Sequence, residues 1–135
     1  MLILGAMKIV AAILVFLSVA AHADLKWDTL RQQFTYESGK PVFRAQFGFT
    51  NKGTSVAKIT SVKAGCACCT SAKADKMVFA PGERGAIAVK VDVRGKQVPL
   101  LRPVVVGCDD GKFVTLLIDV KTSDGSSKAV PKWGK

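Results

Sequence analysis

In the stretch Val42-Phe43-Arg44-Ala45-Gln46-Phe47-Gly48-Phe49-Thr50, apolar side chains return at every second residue. Phe43, Ala45, Phe47 and Phe49 fall on one side of an extended chain, and Arg44, Gln46 and Thr50 fall on the other. A helix would scatter these phenylalanines around its circumference, whereas a strand gathers them into one stripe. The stretch therefore predicts a half-buried β-strand with an aromatic inner face.

Outward from it the same rhythm continues, broken by turn chemistry about every ten residues. Upstream, Phe34 and Tyr36 open a strand that Ser38-Gly39-Lys40-Pro41 turns back. Downstream, Asn51-Lys52-Gly53-Thr54 ends the phenylalanine strand, and Val56 to Val62 forms the next, centred on Ile59. Met77-Val78-Phe79 is short, and Pro81-Gly82-Glu83 turns into Ile87, Val89, Val91 and Val93, which alternate with Ala88, Lys90, Asp92 and Arg94 until Gly95. Pro103 to Val106 and Phe113 to Val120 read as a hairpin around Asp109-Asp110-Gly111, where the Asp-Gly step suits the positive backbone angles of a tight turn. Such a series predicts an all-β domain, an immunoglobulin-like β-sandwich of about seven short antiparallel strands.

The N-terminal end has a different composition. Lys8 precedes an uncharged, mostly apolar run from Ile9 to Ala20, and Ala21-His22-Ala23 places small residues three and one before Asp24. This pattern predicts a cleavable signal-peptide helix over residues 1–23, cut between Ala23 and Asp24. Residues 24–122 then form the sandwich domain, and 123–135, rich in Ser, Gly and Lys, form a flexible tail. The expected location is periplasmic or secreted, with no stable membrane span after cleavage.

Charge and histidine count narrow the function. The formal charge of +10 falls to +9 when the leader takes Lys8 with it, and His22, the only histidine, leaves as well. Without imidazole a Ser/His/Asp triad, a Cys/His dyad and a histidine-containing zinc site are excluded from the mature chain. Asp109 and Asp110, adjacent beside a glycine, read as turn formers rather than as an acid pair, and Glu83 after Pro81-Gly82 reads the same way. No catalytic residue and no cofactor is expected. Lys58, Lys63, Lys90 and Arg94 occupy the polar positions of alternating strands, so a solvated basic surface accounts for them. Outside the cytoplasm such a surface attracts an envelope protein or an anionic envelope polymer, not nucleic acid.

The motifs taken together resemble a known family. Phe47-Gly-Phe-Thr-Asn51-Lys-Gly53, Ala57-Lys-Ile-Thr-Ser-Val62, Cys66-Ala-Cys68 and Pro81-Gly-Glu-Arg-Gly85-Ala-Ile-Ala-Val89 follow in the order and spacing of the bacterial secreted family called domain of unknown function 1573. The resemblance spans roughly residues 34–120. It implies an immunoglobulin-type sandwich of the Hydin or major-sperm-protein kind and implies no activity. The family's two cysteines fall on Cys66 and Cys68, with Ala67 in place of the usual glycine, Cys69 where threonine is usual, and Cys108 in addition.

Four cysteines in an exported domain invite pairing. Cys68 and Cys69 are adjacent, so their Cα atoms stand about 3.8 Å apart, below the usual disulfide range of about 4.4 to 6.8 Å. In an extended segment Cys66 and Cys68 face one side at roughly 6.5 Å, a marginal separation for a bond. A bond from the cluster to Cys108 closes a loop of about 40 residues and contributes roughly 4 kcal/mol in the chain-entropy picture. Two readings follow. In the first, Cys66, Cys68, Cys69 and Cys108 staple a non-enzymatic binding or structural module of the cell envelope. In the second, one cluster cysteine bonds Cys108 and the others remain as thiols for a soft metal such as Cu(I), or for disulfide exchange, with Lys63 and Lys73 as the cations near them.

Overall fold

The computed structural model describes residues 22–65 and 69–132. Eleven strands run in order: β1 Leu25–Trp27, β2 Arg31–Thr35, β3 Val42–Asn51, β4 Ala57–Ala64, β5 Thr70–Ala74, β6 Val78–Phe79, β7 Arg84–Asp92, β8 Gln97–Val98, β9 Leu100–Cys108, β10 Phe113–Lys121 and β11 Lys128–Ala129. They form a four-stranded sheet ordered β1-β3-β7-β5, a five-stranded sheet ordered β2-β10-β9-β4-β6, and the pair β11-β8. The expected sandwich is thus present, with more strands than the sequence rhythm marked.

The phenylalanine stretch is β3, and its alternation points as predicted: Ala45, Phe47 and Phe49 are buried while Arg44 and Gln46 are exposed. β3 pairs antiparallel with β7, which sets Phe47 opposite Ile87 and Phe49 opposite Gly85. Gly85 leaves room for rings: a Cβ there would stand 2.6 Å from Phe49 Cζ and closer still to the Phe79 ring. Phe49 packs edge-on against Phe79 with centroids 4.8 Å apart, and Trp27 lies at the same 4.8 Å on its other side. From the five-stranded sheet Val104, Val106, Leu116, Ile118 and Val120 close the core. Each such side chain taken out of water contributes about 1.5 to 3 kcal/mol.

Asn51 ends β3 with no exposed surface, and its amide is fully used. Its Nδ2 donates to the carbonyls of Ser55 at 2.9 Å and Phe79 at 3.1 Å, and its Oδ1 accepts from the N–H of Gly53 at 3.0 Å and of Asp24 at 3.2 Å. One side chain thereby ties together the N-terminal segment, the loop after β3 and β6. Predicted turns around glycine also form, among them those at Gly39 and Gly111. Gly39 (φ +83°) and Gly111 (φ +81°) take up left-handed backbone, and the Asp110 carboxylate accepts from the Lys112 N–H at 2.9 Å.

Four expectations need correction. Pairing is not all antiparallel, because β2 runs parallel to β10, Arg31 facing Leu117 through Thr35 facing Lys121. Strand β4 begins at Ala57 and carries an irregularity between Ile59 and Ser61, and Val56 is exposed. The hairpin strand expected from Pro103 starts at Leu100, since Val98 and Leu100 already have inward places beside β11 and β10. Part of the tail expected to be flexible over residues 123–135 is docked instead: Lys128 and Ala129 pair with Val98 and Gln97, and Val130 is buried in the core. The leader expected over residues 1–23 falls outside the described residues except for His22 and Ala23, and Ala23 packs against the core edge.

Candidate functional site

Three places bring chemistry-bearing side chains together. The first is the crossing from β4 to β5. β4 belongs to the five-stranded sheet, where Ala64 faces Val104 and the Gly65 N–H donates to the Pro103 carbonyl at 2.9 Å. β5 belongs to the other sheet, where Thr70 faces Val91. Between Gly65 and Cys69 the chain therefore passes from one sheet to the other. Cys66 and Cys68 lie outside the described residues, and Cys69 is buried at the head of β5. Its carbonyl accepts from the Asp92 N–H at 2.8 Å, and its Sγ accepts from Arg102 Nε at 3.2 Å, with Thr70 Oγ1 3.5 Å away. Arg102 is thus a cation beside this sulfur. Lys63 and Lys73, the cations expected near the cluster, stand opposite Val105 and Ala88 in their ladders. Arg102 lies in a segment whose strand start was legible only from its pairing with β10, so alternation gave no sign of it.

Cys108 lies elsewhere. It ends β9, opposite Ile59, and its N–H donates to the Lys112 carbonyl at 3.0 Å. Arg102 and Cys108 are six residues apart on one extended strand, which is roughly 20 Å. An arginine side chain reaching Cys69 from Arg102 cannot span that distance, so of the bonds expected from the cluster to Cys108 the one from Cys69 is ruled out by geometry, while Cys66 and Cys68 lie outside the described residues. Burial first, and then the nearby carboxylates of Asp110 and Asp109, push the Cys108 thiol above its ordinary value of 9.0. It is a protonated thiol at neutral pH and a poor nucleophile.

Cys108 also borders the second place, a small hollow lined by Leu25, Trp27, Ala57, Asp109, Lys112 and Val114 among others. The Trp27 indole N–H is buried there and has no acceptor. Asp109 and Asp110 belong to the turn that closes β9 on β10, as their spacing predicted, and Glu83 likewise serves a turn, accepting from the Ala80 N–H at 2.9 Å and pairing with Lys76.

The third place is the outer face of the four-stranded sheet, where Arg44, Gln46, Ser71, Lys73, Ala88 and Lys90 surround a broad hollow. Further along the same face, Arg84 pairs with Asp28 at 2.6 Å and donates to Thr50 Oγ1 at 2.8 Å. The guanidinium beside Asp28 holds that carboxyl below the usual range, so the pair stays charged down to acidic pH. Among the described residues no group of three or more His, Cys, Asp or Glu side chains is placed to hold a metal, and no helix is long and apolar enough to cross a membrane. The metal candidates Cys66 and Cys68 lie outside those residues.

Two facing sheets around an aromatic core define an immunoglobulin-like β-sandwich domain. The chain belongs to the family described as protein of unknown function DUF1573, whose profile matches residues 25–121. Among solved structures it is similar to a protein of unknown function from Porphyromonas gingivalis W83, at 15% identity and a TM-score of 0.64, covering 78% of this chain and 50% of that one. It is also similar to the ASH/PapD-like domain 7 of human CEP192, at 9% identity and a TM-score of 0.57, covering 79% and 90%. A third similarity is to the Vibrio cholerae VesB protease, at 19% identity and a TM-score of 0.53, covering 73% of this chain and 32% of that one. This chain thus spans half the length of the first of these proteins and about a third of the protease, and at such identities the likeness is one of fold alone. No curated protein matches the chain.

Proposed function

We propose that the protein is an exported, non-enzymatic β-sandwich that acts as a binding or structural module in the cell envelope. The observation that carries this reading is the outer face of β3, β7 and β5. Three strands present a broad, open surface there, on which the cations Arg44, Lys73 and Lys90 stand among the smaller Gln46, Ser71 and Ala88. A rigid sheet with an uncovered face suits recognition of a large partner. Export is supported by the leader pattern before Asp24 and by the small residues at Ala21 and Ala23. A photo-crosslinking residue at Ala88, with cell fractionation and N-terminal sequencing, tests it. The expected result is a chain beginning at Asp24 in the envelope fraction, crosslinked from position 88. An uncleaved cytoplasmic chain, or an envelope chain that never crosslinks from this face, contradicts the reading.

One observation favours a second reading, a thiol protein that handles a soft metal such as Cu(I) or exchanges disulfides. Cys69 lies too far from Cys108 for a bond between these two. Three cysteines stand within four consecutive positions, and thiolates select soft ions. A Cu(I) competition titration, with thiol mapping by mass, distinguishes the readings. Uptake abolished by replacing Cys66 and Cys68 supports the thiol function, and full oxidation without competition removes it.

A further inference from the structure

The register of the outer face places cations against one another. Arg44 on β3 stands directly opposite Lys90 on β7, and Lys90 stands opposite Ser71 on β5. One row along, Gln46, Ala88 and Lys73 lie abreast. Neighbouring strands are about 4.8 Å apart and each residue adds about 3.3 Å along a strand, so the three cations fall within roughly 12 Å of each other. Like charges directly opposite on adjacent strands repel and cost stability. The ion pairs among the described residues do not relieve this: Asp92 lies near enough to feel Lys90, yet its carboxylate is held by Arg94. At the other end of the same face Arg84 is neutralised by Asp28. Positive charge is therefore concentrated around the hollow in one half of the sheet surface, which no acid lines; Asp92 and Asp75 stand at its ends.

We infer that this half of the face binds an anionic polysaccharide, whose repeating carboxylate or sulfate groups are held by Arg44, Lys73 and Lys90. Charge complementarity selects a polyanion. The side chains between the cations select a polar, extended one, because Gln46, Ser71 and Ala88 are short or hydrogen-bonding and offer nothing to insert into a lipid layer. The large apolar side chains that are exposed, Leu30, Val56, Met77, Val78, Leu101 and Phe113, all lie elsewhere. This assignment rests on the binding-module reading and names its ligand class.

The test uses purified protein with heparin as probe. R44S/K73S/K90S is expected to lose about tenfold or more of the affinity at low salt and to show a shallower salt dependence, since fewer counterions are released on binding. K58S/K112S/K121S removes the same charge from other surfaces and is expected to lose no more than about threefold through the weakened overall field. Lys90→Glu keeps the fold safe, because it creates an opposite-charge pair with Arg44, and it too should weaken binding severalfold. Equal losses in the two triple variants, or unchanged binding in Lys90→Glu, overturn the assignment. So does a preference for phosphatidylserine vesicles over heparin that survives R44S/K73S/K90S. If position 88 crosslinks in the envelope while heparin binding ignores all three substitutions, the module reading stands and the polysaccharide falls.

Discussion

The two faces of the four-stranded sheet are built from the same strands and obey opposite rules. Inward, Phe47 and Phe49 meet Ile87 and Gly85, and every one of these contacts removes apolar surface from water. Outward, three residues along from Phe47 and Ile87, Arg44 meets Lys90, a juxtaposition that the fold does not need and that works against it. The inner face is thus determined by folding, and the outer face is free to be determined by something else. Positions at which a protein keeps a cost to stability are where function is to be sought.

Substitutions sharpen this contrast in order of size. Phe47→Ala should lower stability by about 3 to 5 kcal/mol, since it empties a fully buried site between two sheets. An unchanged denaturation midpoint would show that the wrong face of β3 had been assigned to the core. Asn51→Ala should cost about 1 to 3 kcal/mol, because it leaves buried partners of its amide unsatisfied. The loss should show in urea titrations, and hydrogen exchange should quicken at the Gly53 and Asp24 amides.

Cys108→Ser should cost less than the roughly 2 to 4 kcal/mol of a lost disulfide, as Cys108 stands as a free thiol. Its pH dependence carries a sign. Folding raises the Cys108 value above 9.0, so the protonated thiol's contribution is complete below that pH and is lost as pH rises through the folded value. Denaturation at pH 7 and at pH 10 should therefore show a decline in the native protein that is smaller in Cys108→Ser. An equal decline in both would place the titration elsewhere. On the outer face Lys90→Ser should leave stability within about 0.5 kcal/mol of the native value or raise it slightly, and a large loss would mean that the lysine supports the fold after all.

What the sequence made legible follows the same division. The stripe from Phe43 to Phe49, the valines of β7 and the Asp-Gly hairpin could be read directly, because burial imposes a period of two and turns impose glycine. β1 and β5 could not, since Leu25–Trp27 and Thr70–Ala74 are short edge strands whose pairing partners lie far along the chain. The Arg102 contact with Cys69 and the distance of Cys69 from Cys108 were invisible for the same reason: both depend on which sheet receives the chain after the cluster. The outer cations could be counted as a solvated face, but their concentration in one half of it is a matter of register between β3, β7 and β5.

The comparison between the two faces is tested most directly by amide chemical-shift mapping of the folded protein during titration with heparin. The account predicts salt-sensitive shifts along Arg44 to Gln46, Ser71 to Lys73 and Ala88 to Lys90, with the five-stranded sheet unmoved. Shifts centred on Lys58, Lys112 and Lys121, or spread evenly over every basic residue, would contradict it.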